Sequence, residues 1–167
     1  MKVHIYTDGA CSGNPGNGGY GIIMEWVEPS LQKNKTYIKE FAEGFRKTTN
    51  NRMELLAVIV ALEQLKKDGV EVVVFSDSKY VVDSVMKGWV FNWLKKGFKD
   101  KKNPDLWKRF LKVYKKHKVK IEWVKGHSDH PQNERCDQLA VAASQKEILL
   151  VDHGYENQND HLQKLNF

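Results

Sequence analysis

The sequence predicts an α/β fold in which helices cover both faces of a five-stranded mixed sheet. Strand-like runs at residues 3–7, 20–27 and 36–45 are joined by polar turn segments, a pattern typical of an antiparallel meander. The run VEVVVFS at residues 70–76 is almost entirely β-branched, as in strands covered on both faces. Helical segments flank it, and KVKIEWV at residues 118–124 supplies a fifth strand. This order of strands and helices indicates a sheet with helices packed on its faces.

The helices are predicted from the spacing of apolar side chains. In residues 53–65, apolar residues at 55, 56, 59, 62 and 65 recur at helical spacing, and Asp68-Gly69 ends the segment. Further helices are predicted at residues 78–86, 105–117 and 133–145. Residues 9–19 are rich in Gly and Asn and are predicted as a turn-rich stretch. We expect the first and fourth strands to lie centrally in the sheet.

Length and composition indicate one globular domain. The chain has 167 residues, of which 41% are hydrophobic and 29% charged. No apolar run approaches the ~20 residues that a membrane span needs, and no secretory signal pattern is visible. The two cysteines, Cys11 and Cys136, favour free thiols in a reducing compartment. We therefore expect a cytoplasmic protein without membrane association, and a monomer by default.

The basic residues are concentrated in one segment. Residues 87–120 hold thirteen of the 27 Lys and Arg but only two of the 21 Asp and Glu. A mildly acidic body with one strongly basic segment is typical of proteins that bind a polyanion. A solvated lysine-rich surface explains the charge equally well, so charge alone leaves both interpretations open.

Four carboxylates fall at the ends of strands or the starts of helices. Asp8 and Asp77 follow hydrophobic strands, Glu54 lies in the first turn of a helix, and Asp137 begins the last helix. The ends of strands in α/β sheets are where sites are built, and the first two side chains meet if their strands are parallel neighbours. Four anions in one pocket need protons or cations, and Mg²⁺ or Mn²⁺ suits oxygen ligands. No Cys/His set has zinc-site spacing.

Each carboxylate also has an ordinary structural explanation. Asp8 and Asp77 are common turn formers. Asn51-x-x-Glu54 resembles a capping box, in which Glu54 only stabilises the helix start. Asp137 near a helix N-terminus interacts favourably with the positive end of the helix macrodipole. Taken one at a time, these positions do not establish a site.

Four separated stretches together resemble type 1 ribonuclease H. They are YTDGACSGNPGNGGYG, TTNNRMELLAVIVALE, VFSDSKYV and WVKGHSDHPQNERCDQLA, in the family's order. The resemblance covers residues 1–145 and includes a basic protrusion, or handle, at about residues 87–103, as in bacterial cellular enzymes. It implies the ribonuclease H-like fold, and it leaves residues 146–167 as a C-terminal extension of unknown role.

The resemblance implies an endonuclease that cleaves the RNA strand of RNA–DNA hybrids, leaving 5′-phosphate and 3′-hydroxyl ends. It assigns metal ligation and catalysis to Asp8, Glu54, Asp77 and Asp137, which in the family hold two Mg²⁺ ions. One ion activates the attacking water and the other stabilises the leaving oxygen. His127 matches a loop histidine that moves protons or aids product release, and its ordinary pKa suits that role.

The resemblance also implies contacts to the hybrid. The minor groove, where 2′-hydroxyls distinguish the strands, is assigned to Cys11, Asn14, Asn50 and Asn51. Thr49, Arg52 and Asn103 match a DNA-phosphate pocket, although Thr49 is also a natural helix cap. In the handle the implied contacts are Trp89 and the lysines, among them Lys95, Lys96 and Lys99. Lys79 stands where a bacterial member of the family has glutamine, and it is expected to contact phosphate or sugar.

Three other functions fit parts of this pattern. A non-catalytic hybrid-binding module is disfavoured by the full carboxylate set. A DNA nuclease of the same superfold, such as a transposase or junction resolvase, is disfavoured by TTNNRMEL and the handle. A domain of a viral reverse transcriptase is disfavoured by the handle and by the start at Met1.

Overall fold

The computed structural model describes residues 2–126 and 130–158. Its strands are β1 (Lys2–Ser12), β2 (Gly16–Glu28), β3 (Lys35–Thr48), β4 (Glu71–Ser76) and β5 (Lys118–Trp123). Its helices are α1 (Asn50–Glu63), α2 (Lys79–Met86), α3 (Trp89–Lys95), α4 (Pro104–Tyr114) and α5 (Pro131–Ser144). A short further helix spans residues 153–158. None of the helices in these residues is long and apolar enough to cross a membrane.

The sheet has the predicted mixed topology. The strand order is β3-β2-β1-β4-β5, with β1–β2 and β2–β3 antiparallel and β1–β4 and β4–β5 parallel. The first strand is therefore central, with the fourth beside it. This confirms the predicted five-stranded mixed sheet and the parallel pairing on which the meeting of Asp8 and Asp77 depended.

Helices cover both faces of the sheet, as predicted. Ile5 and Tyr6 are consecutive in β1 and point to opposite faces. Ile5 joins the larger core cluster with α1, α2 and α4, whereas Tyr6 joins a smaller cluster with Cys136 of α5. The sheet is thus enclosed between α1 on one side and α5 on the other.

The turn-rich interpretation of residues 9–19 is wrong for most of that stretch. β1 continues to Ser12 and β2 begins at Gly16, so the turn is confined to the residues between them. Two of its glycines serve packing instead. A Cβ on Gly9 would lie 2.6 Å from the backbone nitrogen of Glu54, and one on Gly19 would lie 2.5 Å from the Ala140 carbonyl oxygen. Both helices approach the sheet too closely for a side chain there.

Helix α1 begins earlier than predicted. It starts at Asn50, and its cap is Thr49, whose Oγ1 accepts a hydrogen bond from the Arg52 nitrogen at 3.3 Å. Asn51 is already helical, so the proposed capping box of Asn51 and Glu54 is wrong. Glu54 is thereby left without a structural role at the helix start.

The described part of the C-terminal extension packs on the body. The Leu150 nitrogen donates to the Gly44 carbonyl at 2.8 Å, and the Arg46 nitrogen donates to the Leu150 carbonyl at 2.9 Å. Asp152 is buried beside the start of α1. Residues 150–158 therefore lie against β3 and α1.

Candidate active site

Three acidic side chains converge where β1 and β4 diverge. The parallel pairing ends at Tyr6 opposite Phe75, so Asp8 and Asp77 each follow two residues later. Helix α1 crosses β1 closely at Gly9 and brings Glu54 to the same point. One carboxylate oxygen from each of Asp8, Glu54 and Asp77 lies within 4.8 Å of the others. We call these three residues the carboxylate cluster.

The cluster is largely enclosed by protein. Asp8 is 5% exposed and Glu54 is 4% exposed. Among the described residues, no Lys, Arg or His forms an ion pair with either side chain. The Gly9 nitrogen donates to Asp8 Oδ1 at 2.9 Å. Glu54 Oε2 is buried with no hydrogen-bond partner, an unusual state for a carboxylate oxygen.

Asp137 stands at the edge of this cluster. It lines, with Asp8 and Asp77, a pocket of about 200 Å³ whose other walls are Asn133, Glu134 and Gln138 of α5. Asp137 and Asn133 are one helical turn apart and therefore share a face of α5. The fourth predicted carboxylate thus reaches the same pocket, but it is not within the tight three-residue group.

The electrostatics reflect this crowding of acids. Burial, followed by the charge of Asp77, raises the pKa of Asp8 from 3.8 to about 7. Burial and then the charges of Asp8 and Asp77 raise the pKa of Glu54 well above its usual value. Both pKa shifts have the same two causes: burial disfavours the charged form, and like charges close together further disfavour joint ionisation.

The cluster fits a hard divalent cation. The unpartnered Glu54 oxygen, the short spacing of three carboxylates and the open pocket beside Asp137 provide oxygen ligands and an approach for solvent or substrate. Mg²⁺ and Mn²⁺ prefer such ligands. A bound cation also removes the repulsion that raises the two pKa values.

The predicted loop histidine, His127, lies outside the described residues. The neighbouring Gly126 lies close to Asp77, because a Cβ at that position would be 2.9 Å from Asp77 Oδ2. The chain therefore approaches the carboxylate cluster at Gly126, one residue before the predicted histidine.

Several predicted nucleic-acid contacts line one groove of about 850 Å³. One wall holds Asn14, Thr49 and Asn51, where the β1–β2 turn meets the start of α1. The handle contributes Lys101, Lys102 and Asn103 to the lining. We call this the polar groove. Asn14 also accepts a hydrogen bond from the Asn50 nitrogen at 3.1 Å, which joins the turn to the helix.

Arg52, predicted to lie around a DNA-phosphate pocket, is not among the residues that line this groove, but it is hydrogen-bonded to Asn103, which does line it. Its side chain is 1% exposed. The guanidinium donates to Asp105 at 2.7 and 2.9 Å and to Asp152 at 2.8 and 2.9 Å. A fifth bond reaches Asn103 Oδ1 at 3.3 Å. Arg52 is therefore a buried support for Asn103. We call Arg52, Asp105 and Asp152 the Arg52 cluster.

The remaining predicted contacts are dispersed around the site. Cys11 is half-buried, with its thiol 2.8 Å from the Gly13 carbonyl and 3.4 Å from that of Thr48. The Lys79 ammonium lies 4.2 Å from the Trp123 ring centroid. Trp89 is 44% exposed on α3. The handle lysines 95, 96 and 99 are all exposed, as phosphate contacts require.

The handle is joined to the main core. Phe98 is 4% exposed, and Trp93 meets Trp107 of α4 edge to face at 5.9 Å. The Trp107 Nε1 and the Asn103 amide both donate to the Tyr80 hydroxyl, at 2.8 and 3.0 Å. The handle therefore presents its lysines from a fixed base.

Sequence analysis missed several residues that organise the site. Asn133 is 4% exposed in the acidic pocket, and its i,i+4 spacing from Asp137 was the available signal. The Trp123 Nε1 donates to the Asp77 carbonyl at 3.2 Å and so supports the backbone at that position. The partners of Arg52 carry no local signal, since Asp105 and Asp152 are distant in sequence.

Comparisons with known proteins identify the family of this chain. The RNase H family model matches residues 1–145. A ribonuclease H from Desulforamulus reducens is 53% identical over 156 residues, covering 90% of this chain and 92% of that protein.

Among solved structures, LC9-RNase H1, a type 1 RNase H with the type 2 active-site motif, has a TM-score of 0.78 at 35% identity. The match covers 94% of this chain and 80% of that one. LC11-RNase H1 in complex with RNA/DNA hybrid has a TM-score of 0.60 at 26% identity, covering 84% and 95%. Family model, relative and fold agree, and this chain is a member of the type 1 ribonuclease H family of nucleases.

Proposed function

We propose that this chain is an endonuclease that hydrolyses the RNA strand of RNA–DNA hybrids with two divalent cations, leaving 5′-phosphate and 3′-hydroxyl ends. The observation that carries the proposal is the carboxylate cluster. Three oxygens lie within 4.8 Å of one another, two of them on buried side chains, and Glu54 Oε2 has no partner. Such a cluster is suited to binding divalent cations that also contact the phosphate of a phosphodiester.

The residues have distinct parts in this proposal. Asp8, Glu54 and Asp77 would bind the cations, and Asp137 would complete the ligand set from the wall of the neighbouring pocket. When bound, Mg²⁺ or Mn²⁺ supplies Lewis-acid chemistry for the attacking water and the leaving oxygen. His127 is proposed to move a proton or help product leave. Trp123 positions Asp77 through the hydrogen bond to its carbonyl.

The substrate surface is proposed to run from the cluster to the handle. Thr49 lines the polar groove and Glu54 belongs to the carboxylate cluster, and the two are five residues apart at the start of α1. At the helical rise per residue, the groove and the cluster are therefore separated by about 7.5 Å along the helix axis. Asn14, Asn50, Asn51 and Cys11 are proposed to read the minor groove. Thr49 and Asn103 are proposed to hold DNA phosphate, with Arg52 supporting Asn103 from behind. The solved LC11-RNase H1 complex with RNA/DNA hybrid supports this class of substrate.

A cleavage assay tests the proposal against its alternatives. Labelled RNA–DNA hybrid, double-stranded RNA and double-stranded DNA are each incubated with the protein and Mg²⁺. We expect cleavage of the hybrid's RNA strand alone, and mapping of the products gives the end chemistry. Cleavage of DNA would favour a DNA nuclease, and hybrid binding without cleavage would favour a binding module. Either result contradicts the proposal.

We also propose that the chain acts as a cytoplasmic monomer. Cys11 and Cys136 are both free thiols, which suits a reducing compartment. Light scattering should return the mass of one chain, and a dimer mass at micromolar concentration would contradict the monomer.

A further inference from the structure

Residues 150–158, which we call the C-terminal segment, also contribute to the lining of the polar groove. Tyr155, Asn157 and Gln158 line it together with the start of α1 and the handle lysines. These three residues belong to the extension beyond the part of the chain that the family model matches. Their position raises the question of whether the segment only stabilises the fold or also takes part in binding.

The segment is held firmly in this position. Asp152 Oδ2 accepts from the Thr48 hydroxyl at 2.7 Å and from Arg52 Nε at 2.8 Å. Glu156 accepts from two Arg46 nitrogens, both at 3.1 Å. Gly154 is packed so closely that an added Cβ would lie 2.7 Å from Arg52 Nη2. The segment is therefore built into the fold at both the strand end and the helix start.

The acids near the groove are paired with arginines and do not line it. Asp105 and Asp152 are bound to Arg52, and Glu156 is bound to Arg46. The groove lining contains no carboxylate among the described residues, but it contains two lysines, several amides and the Tyr155 phenol. A lining of ammonium, amide and hydroxyl donors fits the phosphate and sugar oxygens of a nucleic-acid strand.

We propose that the C-terminal segment is part of the nucleic-acid surface, and that Tyr155 and Asn157 contact the sugar–phosphate backbone of the bound strand. This inference rests on the proposed function, because it takes the RNA–DNA hybrid as the ligand. Asp152 and Glu156 act as positioning residues that hold the contacting side chains against the groove. The ion pairs that hold the C-terminal segment on the body of the protein thus also position the side chains that contact the substrate.

Point variants test the proposal better than truncation, because deletion removes Asp152 and with it the partner of Arg52. Hybrid binding is measured in an Asp8→Asn background, so that cleavage does not interfere. The test variant combines Tyr155→Ala with Asn157→Ala. The matched control is His153→Ala, which is exposed on the same segment and does not line the groove. Urea unfolding of every variant establishes that it is folded.

We expect the double variant to weaken hybrid binding about tenfold, as loss of two or so hydrogen bonds predicts, and the control to stay within about twofold. Because Tyr155 and Asn157 are uncharged, the slope of log affinity against log salt should not change. Tyr155→Phe keeps the ring, and a loss of affinity in this variant locates the contact at the hydroxyl.

The outcomes separate this proposal from the function on which it rests. If the wild type cleaves hybrid and the folded double variant binds like the His153→Ala control, the role of the segment in binding is overturned while the nuclease proposal stands. If the wild type neither binds nor cleaves hybrid, both proposals fall.

Discussion

Two groups of buried charge flank the start of α1, and they are built in opposite ways. In the carboxylate cluster, Asp8 and Glu54 are 5% and 4% exposed and form no ion pair with a described residue. In the Arg52 cluster, one guanidinium that is 1% exposed lies between the carboxylates of Asp105 and Asp152. The two clusters share one helix, but Arg52 neutralises the acids around it, whereas no described cation is paired with Asp8 or Glu54.

This difference indicates that the Arg52 cluster stabilises the fold, whereas the carboxylate cluster has a functional role. Burial disfavours a charged group unless an opposite charge or hydrogen bonds compensate it. The Arg52 cluster is compensated, so it contributes to holding the chain end, the helix start and Asn103 together. Asp8 and Glu54 are under-compensated, since neither is paired with a described cation, and such groups are typical of functional centres that an external cation completes.

The largest expected effect is on activity, from Asp8→Asn. Loss of one ligand should lower kcat by about a thousandfold or more, because metal-assisted stabilisation of the transition state is worth several kcal/mol. Hybrid binding should remain nearly unchanged, since the groove and handle contacts are intact. Kd and single-turnover rates at saturating Mg²⁺ check this. A parallel loss of binding would show that the cluster and the substrate surface are not separate.

The same substitution should have the opposite effect on stability. In the metal-free protein at neutral pH it relieves repulsion with Glu54 and Asp77, so the Tm should rise. A Tm below that of the wild type in EDTA would mean that the cluster is not under-compensated.

Arg52→Met should destabilise the fold more than any other of these substitutions. It leaves Asp152 buried without its cation, and breaking a buried pair costs about 3–5 kcal/mol of unfolding free energy. Urea unfolding measures this. The matched control is Arg109→Met, which breaks an exposed pair with Glu63 and should cost about 0–1 kcal/mol. Equal costs for the two variants would contradict the contrast between the clusters.

The pH dependence of stability should have opposite signs for the two clusters. The pKa of Asp8 is raised to about 7, chiefly by burial, so the folded metal-free protein keeps a proton that the unfolded chain releases above pH 3.8. Between about pH 4 and 7 stability should therefore fall as pH rises, by up to about 1.4 kcal/mol per pH unit for one proton.

Asp105 contributes the reverse trend at lower pH. Despite partial burial, the hydrogen bonds and charge of Arg52 lower the pKa of Asp105 below 3.8, so its contribution is lost as pH falls through that lowered value. Urea unfolding in EDTA, measured from below pH 3.8 up to about pH 7, tests both trends. Asp8→Asn should flatten the upper trend, and excess Mg²⁺ at neutral pH should offset it in the wild type. A pH-independent stability above about pH 4 would overturn the assignment for Asp8.

Exposed charge should have the smallest effect. Replacing Lys95, Lys96 and Lys99 together by Ala should leave stability nearly unchanged and weaken hybrid binding several-fold at low salt. The slope of log affinity against log salt should become shallower by about 1 for each lysine that contacts phosphate. Replacing Lys33, Lys35 and Lys67, which are also exposed, removes the same charge elsewhere. If both triple variants change the slope equally, net charge rather than the handle governs binding.

Much of the fold was predictable because its signals are local. The β-branched run of β4 correctly predicted a strand, and the apolar spacing of α1 correctly predicted a helix. The extents of β1 and β2 were not predictable from composition, because Gly9 in β1 and Gly19 in β2 look like turn residues. They are required by the approach of α1 and α5 to the sheet, a contact between residues far apart in the chain.

The sequence by itself determined which carboxylates, lysines and amides are present, and their order within recognisable motifs identified the family. Only the tertiary structure decided which of them share a site. It brought one carboxylate oxygen each of Asp8, Glu54 and Asp77 within 4.8 Å of the others, and it buried Arg52 between Asp105 and Asp152. It also placed Tyr155 in the groove wall. The physical reason is that burial and charge compensation depend on partners far away in the chain, such as Asp105 and Asp152, which are 53 and 100 residues from Arg52, and no local pattern records them.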